Sequence, residues 1–153
     1  MDDFERFIVY PRLVKSYIER RMNSELSPLG LTSSSGPFVL AIRSNEGASL
    51  KDISARMLVD KSLSTRMARV LIEGGFAENV SPDPRTYSLR LTEKGEAAAE
   101  SITEIMRSIQ SEIADGLDDR EKEFFKHVLA RIIANLRERN GDGGSPPEGD
   151  DEE

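Results

Sequence analysis

The sequence predicts a mainly α-helical fold with one small two-stranded β-wing, and three observations point that way. Apolar residues recur at helical spacing through most of the first 140 residues. Strand-like alternation is confined to two short runs, "FAENV" and "YSLRL", joined by the turn-rich "SPDPRT". Ser, Thr or Asp precedes several of the helical runs, and Gly follows several, as helix ends require. With 153 residues, 37% of them hydrophobic, 32% charged and none tryptophan, the chain is sized for one compact domain with helical extensions.

Taken in order, residues 4–29 read as a long helix with Phe7, Ile8, Leu13, Val14, Tyr17, Ile18, Met22 and Leu26 drifting round one broad face. Pro11 predicts either a late start or a bend. "PLGLTSSSGP" is a loop before a second helix, about residues 34–44, carrying Phe38, Val39, Leu40 and Ile42. In "NEGAS", Gly47 suits a left-handed turn, and Ser49 with Asp52 makes a capping box for a short third helix, residues 50–57.

Asp60 is placed as the N-cap of a fourth helix that Gly74 and Gly75 end. At about 100° per residue, Leu63, Met67, Val70 and Leu71 form its buried stripe. Ser62, Thr65, Arg66, Arg69 and Glu73 fall on the opposite, exposed side. After the hairpin, Thr92 caps a long helix with Ile102, Ile105, Met106, Ile109 and Ile113 on one stripe. Asp118 and Glu121 box the start of a last helix to about Arg139, with Phe124, Phe125, Val128, Leu129, Ile132, Ile133 and Leu136.

The formal charge of −7 is misleading until it is located. Residues 141–153, "GDGGSPPEGDDEE", hold six acidic groups and no basic one, leaving 22 acidic against 21 basic residues in 1–140. This tail is predicted to be disordered and solubilising; a sharper reading has it repel DNA and trim non-specific affinity. Residues 49–95 carry eight Lys or Arg against six Asp or Glu, a mildly cationic middle that permits nucleic acid.

Many function classes lack raw material. There is no cysteine, so no disulfide, thiolate metal site or thiol sensor. His127 is the only histidine and, lying among apolar groups of the last helix, reads as packed or interfacial rather than as a metal ligand. No phosphate loop and no nucleophile–base pair is present, so the chain is not expected to be an enzyme, and no catalytic residue or cofactor is assigned. The N-terminus has no apolar signal core and no segment approaches a membrane span, so a cytoplasmic location is expected.

A short helix, a tight turn, a helix with a polar leading face and then a hairpin is the order of a winged helix-turn-helix. The major groove of DNA admits one α-helix, whose first turns present hydroxyls and guanidiniums to base edges. Lys61 to Arg69 packs three hydroxyls, Ser62, Ser64 and Thr65, among Lys61, Arg66 and Arg69. Ser62, Thr65 and Arg66 are expected at bases, and Ser49, Lys51, Lys61 and Arg69 at phosphates. Arg85 in the hairpin is expected to enter the minor groove, with Asp83 orienting its guanidinium. The bland alternatives are a solvated helix face and an exposed Arg85–Asp83 ion pair.

The stretch "LKDISARMLVDKSLSTRMARVLIEGGFAENVSPDPRTYSLRLTEKGEA" resembles the DNA-binding core of the MarR family of transcriptional regulators. That family's wing ends in Asp-x-Arg, five residues and then Leu-Thr-x-x-Gly; here these are Asp83, Arg85, Leu91, Thr92 and Gly95. "RRMNSELSPLGLT" is similar to the end of the family's first helix. The resemblance spans roughly residues 4–140 and implies a single domain over 1–140. Residues 32–91 would be the winged helix-turn-helix, and 4–30 and 92–140 the dimerisation-arm helices.

It further implies a homodimer on a pseudo-palindromic double-stranded DNA operator, acting as a repressor that a small anionic or aromatic effector releases. The effector site would lie where the arm meets the winged domain, with Tyr10, Arg12, Tyr17, Phe38 and Arg43 as candidate lining residues. Two features depart from the pattern. One is the wing, about two residues short from Gly75 to Asp83 and with Asn79 where a basic residue is common; the other is the acidic tail, which the family does not require. The shortened wing, the acidic tail and the low core charge leave a protein-interaction module without DNA binding as the alternative.

Overall fold

The computed structural model describes residues 1–139; the expectations for the acidic tail, residues 141–153, lie outside the described residues. A first helix, α1 (Asp3–Leu26), is followed by a short 3-10 turn, then α2 (Gly36–Arg43), α3 (Leu50–Met57) and α4 (Lys61–Glu73). The strands β1 (Ala77–Asn79) and β2 (Leu89–Leu91) precede α5 (Glu93–Ile113) and α6 (Asp119–Arg139). One compact unit covers Met1–Gln110, and a second begins at Ser111.

The caps fall where the sequence asks for them. Ser49 and Asp52 bond each other's backbone N–H groups, as do Asp118 and Glu121. The Asp60 carboxylate accepts from the Leu63 amide at 2.7 Å. Each relieves helix donors that have no partner within the helix, an effect of about 1 kcal/mol per cap. At the other end of α4, the Phe76 amide reaches back to the Leu71 carbonyl while Gly75 takes φ +77°, a conformation that suits a residue without Cβ.

Pro11 does not delay α1. An Asp2–Glu5 capping box starts the helix at Asp3, and Pro11 lies inside it on an exposed turn, where water can satisfy the carbonyl left without a donor. The turn between α3 and α4 depends on Leu58 at φ +55°, a left-handed residue with a Cβ.

The strands pair antiparallel, Ala77 opposite Leu91 and Asn79 opposite Leu89. Ala48 adds a third, one-residue rung: the Gly47 amide donates to the Leu89 carbonyl at 2.8 Å and the Leu89 amide to the Ala48 carbonyl at 3.1 Å. One buried alanine between Gly47 and Ser49 has no alternation that would mark it as strand in the sequence.

The core lies where α2, α3 and α4 meet the strands and the first half of α5, with Val39, Ile42, Ile53, Leu71, Leu89 and Ile102 almost inaccessible. Two assignments change. The α5 stripe, part of what the resemblance makes a dimerisation arm, is divided: Ile102 and Ile109 are buried within this chain, while Met106 and Ile113 stay exposed. Val70, placed on the inner stripe of α4, is 41% exposed. At about 100° per residue it lies only about 40° from Arg66, at the edge of the outward face.

Candidate nucleic-acid interface

The face of α4 that points away from the core carries Ser62, Thr65, Arg66, Arg69, Val70 and Glu73, which line one open concavity of about 540 Å³. Its stagger, i, i+3, i+4, i+7, i+8 and i+11, is one stripe of a helix. Met67, Ala68 and Leu71 hold the helix from behind. Lys61 and Lys51 are exposed at the starts of α4 and α3, where backbone amides also point outward.

Ser64 does not belong to this face. It is fully buried, and its hydroxyl lies 2.8 Å from that of Ser54, which also reaches the Leu50 carbonyl at 2.7 Å. The pair ties α3 to α4 through a satisfied polar contact inside the core. The signal was present in the sequence, because Ser64 falls about 20° from Leu71 on the helical projection and opposite Ser62.

Two other hydroxyls are engaged within the chain. Ser49 donates to Asp52 at 2.7 Å, and the same hydrogen bonds hold the Asp52 carboxyl below its ordinary range, with Lys51 adding to the effect. Thr65 donates to the Lys61 carbonyl at 2.8 Å, leaving its oxygen to accept and its methyl to make apolar contact.

At the wing, the Arg85 guanidinium grips Asp83 through Nε at 3.1 Å and Nη2 at 3.2 Å, with the Arg85 amide on the same carboxylate at 2.9 Å. The Arg85 contacts lower the Asp83 pKa, and the Arg85 side chain is 88% exposed. Asp83 therefore holds the Arg85 guanidinium in one orientation, and the ion pair and the outward presentation coexist.

Asn79 proves to be the internal brace of the wing. Its amide nitrogen donates to the Thr86 carbonyl, and its oxygen accepts from the Ser81 and Ser88 amides. The Ser81 and Thr86 hydroxyls meet at 2.6 Å beside it. A basic side chain at this position could not make the carbonyl-side half of that set.

The candidate effector residues differ in exposure. Tyr10 and Arg12 are exposed on α1, Tyr17 is half-buried and Phe38 is in the core. Arg43 spans from α2 to α5, donating to Glu100 at 3.0 Å and to the Thr103 hydroxyl at 2.9 Å. His127 is exposed on α6 rather than packed, and no cluster of metal-ligating side chains occurs among the described residues. No helix among them is long and apolar enough to cross a membrane.

No protein-family model matches the chain. A curated relative, the HTH-type transcriptional regulator BilQ of Clostridioides difficile, is 32% identical over 118 residues, covering 74% of this chain and 80% of the relative. A MarR protein from Peptoclostridium difficile superposes with a TM-score of 0.81 at 22% identity, over 88% of this chain and 89% of that one. A mutant form of MarR from E. coli, solved in complex with operator DNA, superposes with a TM-score of 0.72 at 25% identity, over 87% and 99%. On this sequence likeness, and on a helix order with the same winged hairpin, the chain belongs to the MarR family of winged helix-turn-helix transcriptional regulators and is not an enzyme.

Proposed function

We propose that the protein is a homodimeric, sequence-specific DNA-binding repressor. The observation that carries this reading is the α4 stripe: Ser62, Thr65, Arg66 and Arg69 face outward together, backed by a packed core, while on the wing Asp83 pre-orients Arg85. The E. coli MarR neighbour bound to operator DNA supports it. Arg66 and Ser62 take base edges, Thr65 accepts from an exocyclic amine, Lys51, Lys61 and Arg69 take phosphates, and Arg85 takes the minor groove.

Homodimerisation rests on surplus apolar surface. Phe4, Phe7 and Leu13 of α1, and Phe124, Phe125 and Leu136 of α6, are exposed. Faces of this kind exceed what a monomer ordinarily leaves in water, and a second copy of the chain is the occupant proposed. Residues 32–91 are then the DNA-reading part and the terminal helices the arm. A two-fold dimer matches a pseudo-palindromic operator. For release, Arg43 is the cation offered to an anionic effector, which must displace Glu100 from it.

Arg66→Ala and Arg85→Ala test the interface. Each is expected to cost about 1 to 3 kcal/mol in operator affinity, Arg66→Ala with relaxed sequence preference. Wild-type affinity in both variants, measured by fluorescence anisotropy, overturns the assignment.

A further inference from the structure

The carbonyl end of α4 is held by the first turn of α5. The Lys94 Nζ donates to the Gly74 carbonyl at 2.7 Å, and the Thr92 hydroxyl donates to the Gly75 carbonyl at 2.6 Å. The Thr92 amide donates to the Phe76 carbonyl at 3.0 Å, and a Cβ on Gly95 would overlap that same oxygen. Lys94 also lies over the buried Phe76 ring, 4.3 Å from its centroid, with its stem beside Gly75. Three successive carbonyls after α4 are thus held by residues 92–95.

We propose that Lys94 is a positioning residue for DNA reading, acting through α4 without touching DNA. The Val70, Leu71 and Ile72 carbonyls of the last turn of α4 are taken by the amides of Gly74, Phe76 and Gly75, and the Lys94 cation satisfies the Gly74 carbonyl just past the helix while opposing the negative end of the helix dipole. Its seat on Phe76 adds a cation–π contact that fixes the ammonium sideways. The outward stripe is rigid only if both ends of α4 are fixed. Asp60 fixes the amide end, and Thr92 with Lys94 fixes the carbonyl end. Lys94 therefore sets the tilt of α4, and with it the registry of Arg66 and Arg69 on the bases and phosphates.

This inference rests on the proposed DNA-binding function. The test compares wild type, Lys94→Met and Lys94→Arg on the preferred duplex selected from random DNA and on a scrambled duplex, across a salt series. Lys94→Met keeps the stem and drops the charge; its fold is checked by circular dichroism. The expected result is a specific-to-scrambled affinity ratio lowered by about three- to tenfold, with the salt slope unchanged and the ratio largely restored in Lys94→Arg. An unchanged ratio overturns the proposal. So does a salt slope reduced by about one unit, which marks Lys94 as a phosphate contact. If wild type itself does not prefer any duplex, the proposed function fails instead, and the two failures are distinguishable.

Discussion

Apolar side chains in the winged core and in the terminal helices meet opposite environments. Between Gly36 and Leu91, Phe38, Val39, Ile42, Ile53 and Leu71 are buried. In α6 no described residue is buried, with Phe124 at 70% exposure, and in α1 Phe7 is 71% exposed while Met22 and Leu26 are the buried residues. The winged core is complete within one chain, whereas the terminal helices carry apolar surface that the chain does not cover. Stability of the winged core and burial of the apolar faces of the terminal helices are therefore separable properties, open to different substitutions.

The strongest way to break this contrast is inside the core. Leu71→Ala removes a fully buried side chain and is expected to cost about 2 to 5 kcal/mol, read as a lowered thermal or denaturant midpoint. A near-wild-type midpoint contradicts a closed core. On the arm, Phe124→Glu with Phe125→Glu is expected to weaken self-association by at least about thirtyfold, while the winged core keeps its near-native spectrum. Light scattering of an unchanged dimer removes α6 from the interface.

A finer division runs through α4. Ser64→Ala takes away the buried partner of Ser54 and is expected to cost about 1 kcal/mol of stability with no change in base preference. A changed base preference with full stability would return Ser64 to the interface. The smallest expected effect is at Asp52. Its folded-state pKa is lowered, so its contribution is complete above the ordinary carboxylate value and is lost as pH falls through the folded one. Asp52→Asn should therefore narrow its stability gap to wild type below about pH 4; a gap that is constant with pH removes the ionised cap from the account.

Local chemistry made much of this legible in the sequence. Ser49, Asp60, Thr92 and Asp118 announce helix starts because a side-chain oxygen there bonds the chain only two or three residues on, and Gly75 announces an end because its φ is positive. Asp83 and Arg85, two residues apart, could be paired from spacing alone. What stayed hidden depends on partners distant in sequence. Ser64 meets Ser54 from another helix, Ala48 meets Leu89 across 41 positions, and Lys94 meets Gly74 across a hairpin. Val70 sits at a stripe edge, where periodicity alone does not separate core from surface.

DNA reading by a two-fold pair of α4 helices is decided by selection of bound duplexes from random DNA. The expected result is enrichment of an inverted repeat whose half-sites lie about one helical turn, roughly 10 to 11 base pairs, apart, one for each α4 of a two-fold dimer. A pool that stays unenriched at moderate salt contradicts it.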